Sequence, residues 1–207
     1  MVKRVCVASG AVVAGVWSAG AAAHHPMGGA TPETFMQGFL SGIGHPIIGL
    51  DHLAFVVAVG LLSIPLARRW LMPMFFIVAT VMGTGIHLLG VDLPRAELII
   101  AASVLLSGVL LVLRESTAVM PVAALFVVAG VFHGFAYGEA VFGAETSPIV
   151  AYLLGFALIQ YLIAVAAMQA ARLLCRRSAL EQAWVRVGGG AIAGVALVFL
   201  SEQMMPF

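Results

Sequence analysis

The stretch 149-IVAYLLGFALIQYLIAVAAMQAARL-173 decides the fold class of this chain, and Arg172 is its only charged residue. A helix needs about 20 predominantly apolar residues to cross the hydrocarbon core of a bilayer. A helix also satisfies its own backbone hydrogen bonds where no water is present. The stretch therefore predicts a membrane-spanning helix.

Further apolar stretches of similar character lie before and after it, at residues 35–62, 70–89, 96–113, 119–142 and 185–204. The whole chain is 62% hydrophobic and only 9% charged, whereas about 25% of the residues in a soluble domain are charged. The connections are short and leave no room for a soluble module. These observations predict an all-α, polytopic membrane protein, with a single domain of six transmembrane helices over residues 24–207.

The N-terminal residues have the three-part pattern of a secretory signal peptide. Lys3 and Arg4 precede a short apolar run, and small residues fill positions 19–23. We predict a cleavable signal peptide over residues 1–23; the alternative is an uncleaved additional span. Cleavage would leave His24 and His25 beside a free amine, a nitrogen set that suits square-planar Ni(II) or Cu(II). The alternative for these histidines is an exposed terminus that binds nothing.

The arginines predict the orientation, because cytoplasmic loops are enriched in Lys and Arg. If the signal peptide is cleaved, the loops predicted to lie inside hold Arg68, Arg69, Arg114, Arg172, Arg176, Arg177 and Arg186. The segments predicted to lie outside hold a single arginine, Arg95, and most of the acidic residues. We therefore expect a multi-pass protein of the bacterial inner membrane, with the mature N-terminus and the C-terminus in the periplasm.

Several functional classes find no support in the sequence. It contains no Walker-type phosphate loop, so we expect no ATP hydrolysis. It contains no basic tract, so we expect no nucleic-acid partner. Cys6 and Cys175 are far apart in the chain, and we expect neither a disulfide nor a cysteine metal site. The expected partners are the lipid bilayer and a small cargo, and the sequence leaves a homo-oligomer and proton exchange open.

The first span of the mature chain contains the segment Gly44-His45-Pro46-Ile47-Ile48-Gly49-Leu50-Asp51-His52. Ionisable side chains inside a membrane are costly and usually functional. Pro46 and the glycines predict a kinked or broken helix, the kind of element in which transporters place ion sites. Imidazoles suit Ni, Zn or Cu, and a carboxylate adds charge compensation. We predict that His45, Asp51 and His52 bind a metal; the alternative is a structural kink with an Asp–His hydrogen bond.

The later spans supply three more candidate ligands, His87, His133 and Glu139. His87 lies near the outer end of its span, where it could instead reach interfacial water. Gly130, Gly134 and Gly138 recur every four residues beside His133, and such a stripe predicts close packing of another helix. Gln160 is a further polar candidate in the fifth span, with a hydrogen bond to a neighbouring helix as its alternative role.

Two motifs in these spans resemble those of the HupE/UreJ family of bacterial membrane proteins. They are His45-Pro46-x-x-Gly49-x-Asp51-His52 and Phe132-His133-Gly134-x-Ala136-x-Gly138-Glu139. The resemblance extends over nearly the whole chain. It implies a secondary permease rather than an enzyme, one that needs no cofactor and imports Ni²⁺, or Co²⁺ in some members, for hydrogenase or urease maturation. The family motif residues carry over as His45, Asp51, His52, His133 and Glu139.

The chain departs from the family pattern at Tyr137, where the family usually has a second histidine. A phenol ionises only near pH 10 and is therefore a poor ligand for Ni²⁺ at neutral pH. The departure leaves the choice among Ni²⁺, Co²⁺ and Zn²⁺ open.

Three other functions compete with the permease. A membrane accessory protein would hand its metal to a maturation complex without transport. A b-type haem electron carrier would use two of His52, His87 and His133 as opposed ligands. An intramembrane serine protease would need an activated serine, and Ser107-Gly108 has no evident partner in the sequence.

Overall fold

The computed structural model describes residues 30–113, 118–174 and 180–204. Within these ranges the chain is helical apart from loops and turns, with no strand. Seven α-helices and one short 3₁₀ turn, Glu139–Val141, make up this part. The helices are α1 Phe35–Ile48, α2 Leu50–Ser63, α3 Met72–Leu88, α4 Ala96–Leu113, α5 Val119–Gly138, α6 Thr146–Leu174 and α7 Leu180–Met204. The predicted signal peptide, His24 and His25 lie outside the described residues.

Four of the described helices, α4 to α7, are long and apolar enough to cross a membrane. The pair α1 and α2 would be a fifth span if the two helices together form one broken span. Helix α3 is apolar but has only 17 residues. The predicted all-α fold with several candidate spans is therefore confirmed, while the number six and the signal peptide remain predictions.

The break between α1 and α2 falls at Gly49, which has extended backbone angles of φ −72° and ψ 105°. Pro46 lies inside α1 and has no amide to donate to the preceding turn. The two helices meet at an angle of 81°. The predicted kink is thus present, and it is sharp because a proline and an extended glycine lie three residues apart.

Helix α2 lies at the centre of the bundle and contacts every other described helix. Around it, α1 packs mainly on α6, α3 on α5, and α4 on α7. Glycines allow these close approaches: a Cβ on Gly134 would overlap the backbone of Thr80, and one on Gly130 would lie 2.6 Å from the Cβ of Ala79. The glycine stripe of α5 therefore does pack against a helix, as predicted, and that helix is α3.

Large apolar side chains lie on both the inside and the outside of the bundle. Phe55, Phe76 and Phe126 are buried at its centre, whereas Val78 and Met82 on α3 are more than half exposed. Many other large apolar side chains are likewise exposed on the outer surface. Contiguous apolar surface of this extent is typical of a protein that contacts lipid or other proteins, in agreement with the candidate spans.

Candidate metal centre

Five buried side chains from four helices meet beside the break between α1 and α2. We call them the histidine cluster: His45 on α1, His52 on α2, His133 and Tyr137 on α5, and Tyr152 on α6. Each is at most 3% exposed. The cluster therefore joins parts of the chain that are far apart in sequence and places three imidazoles away from bulk solvent.

His52 and His133 are bonded directly to each other. Their Nδ1 atoms lie 2.9 Å apart, and their ring centroids are 5.0 Å apart. The other nitrogen of His133, Nε2, lies 3.2 Å from Oγ of Ser103 on α4. The ring of Phe55 packs against His133 with centroids 4.6 Å apart. Both nitrogens of His133 are thus engaged, and an apolar ring fixes one of its faces.

His45 belongs to a second set of hydrogen bonds. Its Nδ1 lies 2.8 Å from the hydroxyl of Tyr152, and that hydroxyl donates to the backbone carbonyl of Tyr137 over 2.9 Å. The rings of His45 and His52 have centroids 5.9 Å apart. The two imidazoles, seven residues apart in the chain, therefore lie close together although the helix between them is broken.

Asp51 lies in the first turn of α2 and is 2% exposed. Its Oδ1 accepts a hydrogen bond of 2.8 Å from the backbone amide of His52. A carboxylate is stabilised at a helix N-terminus by the helix dipole. The break therefore puts Asp51 at the start of α2, where the helix dipole would stabilise a negative charge, directly beside His52.

Gly49 makes room for both ionisable residues of α2. A Cβ at this position would lie 2.7 Å from Cδ2 of His52 and 3.3 Å from Oδ1 of Asp51. The first distance is shorter than a carbon–carbon contact allows. The position therefore requires glycine as long as His52 keeps its orientation.

Tyr137 lies between the two imidazoles of the broken helix. Its ring centroid is 4.9 Å from that of His45 and 4.6 Å from that of His52. Its hydroxyl is buried and has no hydrogen-bond partner among the residues that the structure describes. A buried hydroxyl without a partner costs about 1–3 kcal/mol, so this position favours a ligand or a bound water that can accept or donate a hydrogen bond.

Three of the residues singled out in the sequence lie apart from the cluster. The ring of His87 packs on Phe135 and Phe142, with centroids 4.6 Å and 5.6 Å away. Glu139 is exposed in the 3₁₀ turn that follows α5. Gln160 is buried, and its Nε2 donates to the carbonyl of Phe156 in its own helix rather than to a neighbouring helix. Among the candidates within the described residues, the structure therefore brings together the rings of His45, His52 and His133, with the carboxyl of Asp51 on the backbone amide of His52.

The side chains of the cluster form hydrogen bonds with one another, and their donor atoms do not converge on a single position for a metal ion. Among residues 30–113, 118–174 and 180–204, no three His, Cys, Asp or Glu side chains are placed to hold a metal ion. A cation at this position would therefore need some of the imidazoles to turn away from their present contacts.

A cavity of about 730 Å³ lies elsewhere, beside α3 and α5. It is lined by apolar side chains such as Leu71, Phe75 and Met82, together with Arg68. None of the residues of the histidine cluster lines it. Its apolar walls offer no ligands for a metal ion, so the buried polar cluster is the better candidate for a site.

Sequence reasoning missed Ser103 and Tyr152, which hold the outer ends of the two sets of hydrogen bonds. Both are polar side chains within strongly apolar stretches, and that was the only available signal. Serine and tyrosine are common enough in membrane helices that the signal did not distinguish them from other positions, such as Ser107 and Tyr161.

Comparisons with known proteins bear on the family to which the chain belongs. Residues 12–199 match the family described as HupE / UreJ protein. The chain is similar to Protein HupE of Rhizobium leguminosarum bv. viciae, with 34% identity over 167 residues, which cover 78% of this chain and 85% of that relative. No solved structure gives a significant match. The two motifs, the helical bundle and these matches together show that the chain belongs to the HupE/UreJ family.

Proposed function

We propose that this protein is a secondary permease that imports a divalent transition metal ion across the bacterial inner membrane. Ni²⁺ is the first candidate, for hydrogenase or urease maturation, and Co²⁺ and Zn²⁺ are alternatives. The observation that carries the proposal is the break at Gly49. Beside it the buried rings of His45 and His52 lie with centroids 5.9 Å apart, and the buried carboxyl of Asp51 bonds the backbone amide of His52. Membership of the HupE/UreJ family supports it.

The chemistry of the buried groups suits such a cargo. Imidazole nitrogens bind Ni, Zn and Cu well, and the carboxylate of Asp51 would offset part of the charge of a divalent ion. Ionisable side chains are costly to bury inside a membrane, and those found there are usually functional. The partnerless hydroxyl of Tyr137 would be able to bond a water molecule that remains on the ion.

The proposed topology has six spans after a cleaved signal peptide. Helices α1 and α2 form one broken span, and the shorter α3 forms another. The arginine-rich loops lie in the cytoplasm, and both ends of the mature chain lie in the periplasm. The membrane potential then favours entry of a divalent ion by about 4.6 kcal/mol per 100 mV, because each charge gains about 2.3 kcal/mol. No ATP is required.

The direct test is uptake of radiolabelled nickel by cells that lack their own nickel transporters. We expect uptake by the wild type and none by His52→Ala, with both proteins present in the membrane fraction at equal amounts. Ser63→Ala is the matched control, because Ser63 is also a buried polar residue of α2. Within the described part of the chain, its side chain bonds only the carbonyl of Val59 in its own helix. Unlabelled cobalt and zinc as competitors would rank the metals.

Undiminished uptake by His52→Ala would exclude the cluster as the transport site. Metal binding by the purified protein without any uptake would favour the accessory function instead. The geometry favours a haem carrier less, because a haem between His52 and His133 would need their nitrogens on opposite sides of a wide ring, and these nitrogens contact each other.

A further inference from the structure

An apolar groove with a basic end runs along the outer face of α3. It is the cavity of about 730 Å³ beside α3 and α5, and Arg68 is the one charged residue among the described residues that line it. Met72 and Ala79 in its lining are buried, whereas Phe75 and Val78 are about half exposed. The groove is therefore open on the outside of the bundle, the side on which a membrane protein meets lipid.

The dimensions of the groove match one half of a bilayer. From Met72 to Met82, both of which line the groove, α3 rises about 15 Å at 1.5 Å per residue. The hydrocarbon core of a bilayer is about 30 Å thick, so one leaflet contributes about 15 Å. A groove of this length suits an acyl chain of one leaflet better than a partner helix that crosses both leaflets.

The residues at the basic end are typical of a membrane interface. Arg68, Arg69 and Trp70 follow one another in the turns before α3. Tryptophan is enriched at the level of the lipid headgroups, and arginine in the adjoining loops. The guanidinium of Arg69 lies over the ring of Trp70, with Cζ 5.9 Å from the ring centroid, whereas Arg68 is exposed and borders the groove. Arg68 is therefore the arginine that can meet a ligand in the groove.

The charge of the groove favours an anionic ligand. Within the described part of the chain, no acidic side chain lines the groove to neutralise Arg68. A guanidinium binds a phosphate group through charge-assisted hydrogen bonds, often two at once. Basic pockets beside apolar membrane helices are typical sites for anionic lipid headgroups. The basic end and the apolar walls therefore complement the phosphate and one acyl chain of the same molecule.

We infer that this groove binds one anionic phospholipid, with the phosphate on Arg68 and an acyl chain along α3 from Met72 to Met82. Methionine side chains are flexible and adapt to a ligand without a fixed shape. Because Val119 and Val127 of α5 also line the groove, the lipid contacts both helices and stabilises their packing. The inference requires that the helices lie in a bilayer, and it does not depend on transport of a metal ion.

A second copy of the chain fits the groove less well than a lipid does. In a symmetric dimer the same surface of both copies forms the contact. If the symmetry axis ran along the membrane normal, the two Arg68 side chains would meet at the same depth. Charges without a partner of opposite sign are costly inside an interface. An anionic lipid supplies the opposite charge that a second copy lacks at this position.

Native mass spectrometry of the full chain in a neutral detergent tests the site. The delipidated protein is titrated with dioleoyl phosphatidylglycerol, or with dioleoyl phosphatidylcholine, which has the same acyl chains and no net charge. We expect one molecule of phosphatidylglycerol to bind with a Kd at least about tenfold lower than that of phosphatidylcholine, on the scale of one charge-assisted hydrogen bond. Equal binding of the two lipids would overturn the inference.

Variants test the two ends of the groove separately. We expect Arg68→Gln to bind both lipids equally, whereas Arg95→Gln, which removes an exposed arginine from the loop before α4, should keep the preference. Val78→Trp should fill the groove and weaken binding of phosphatidylglycerol. Its matched control is Val81→Trp, because Val81 is also exposed on α3 but does not line the groove.

The remaining outcomes decide between a lipid and other occupants. An undiminished preference for phosphatidylglycerol in Arg68→Gln, or equal weakening in Val78→Trp and Val81→Trp, would overturn the proposed site. A dimer that dissociates only in Val78→Trp would overturn it in favour of a second copy of the chain. A thermal midpoint that phosphatidylglycerol raises in the wild type but not in Arg68→Gln would support stabilisation of the packing of α3 on α5.

Discussion

The Nδ1 atoms of His52 and His133 lie 2.9 Å apart although the two residues are 81 positions apart in the sequence. This contact joins the break between α1 and α2 to the glycine-lined helix α5, so the two family motifs contact each other in the fold. A cation that binds either imidazole would alter this hydrogen bond between α2 and α5. We therefore expect cation binding and the packing of α2 on α5 to be coupled at this contact.

The charge of Asp51 can be tested without changing its size. Asp51→Asn keeps an oxygen for the backbone amide of His52, which Oδ1 accepts in the structure, but removes the negative charge. We expect nickel uptake to fall at least about tenfold, on the scale of lost outer partners at metal sites, with normal amounts of protein in the membrane. Asp92→Asn on an exposed loop is the control. Wild-type uptake by Asp51→Asn would argue against charge compensation.

The space at Gly49 can be tested by one methyl group. Gly49→Ala would place Cβ 2.7 Å from Cδ2 of His52, so the ring must move and the hydrogen bond to His133 must lengthen. We expect loss of uptake in a protein that still inserts. Gly85→Ala is the matched control, because no atom lies within 4 Å of a Cβ there. Equal uptake by both variants would mean that the orientation of His52 does not matter.

The metal preference can be tested at Tyr137. Tyr137→His restores the histidine usual in the family at a position 4.6 Å from the ring of His52 and 4.9 Å from that of His45. We expect the Kd for Ni²⁺, measured by calorimetry, to fall at least about tenfold, or about 1.4 kcal/mol, because a third imidazole joins the ligands. Tyr137→Phe separates this gain from mere loss of the hydroxyl. A Kd that stays the same in Tyr137→His would show that this position does not face the ion.

The packing of α3 on α5 can be tested at Gly134. A Cβ there would overlap the backbone of Thr80, where backbone rather than a flexible side chain would have to shift. We expect Gly134→Ala to destabilise the protein by about 1–3 kcal/mol, the usual cost of overpacking, measured as a lower thermal midpoint in detergent by circular dichroism. Gly190→Ala on α7, where a Cβ would meet nothing within 4 Å, should leave the midpoint unchanged. Equal midpoints would contradict the close contact.

The sequence by itself determined the fold class and the chemical character of the site. Apolar stretches of bilayer length leave the backbone only the helix as a structure that satisfies its hydrogen bonds in lipid. Pro46 and its neighbouring glycines predicted the break after α1, because proline has no amide hydrogen to donate and glycine is a poor helix former. The local sequence alone was enough to select His45, Asp51 and His52 as candidate ligands. Ionisable residues so close together are unusual in an apolar span.

Only the tertiary structure decided which side chains meet. His87 and His133 were both candidates in the sequence, yet the packing of α3 on α5 places His87 against Phe135 and Phe142 and turns His133 towards His52. Ser103 and Tyr152 contact His133 and His45 only because α4 and α6 pack beside the broken helix. The physical reason is that hydrophobic periodicity specifies that a helix is buried, whereas the partner of a buried polar atom depends on how several helices rotate against one another.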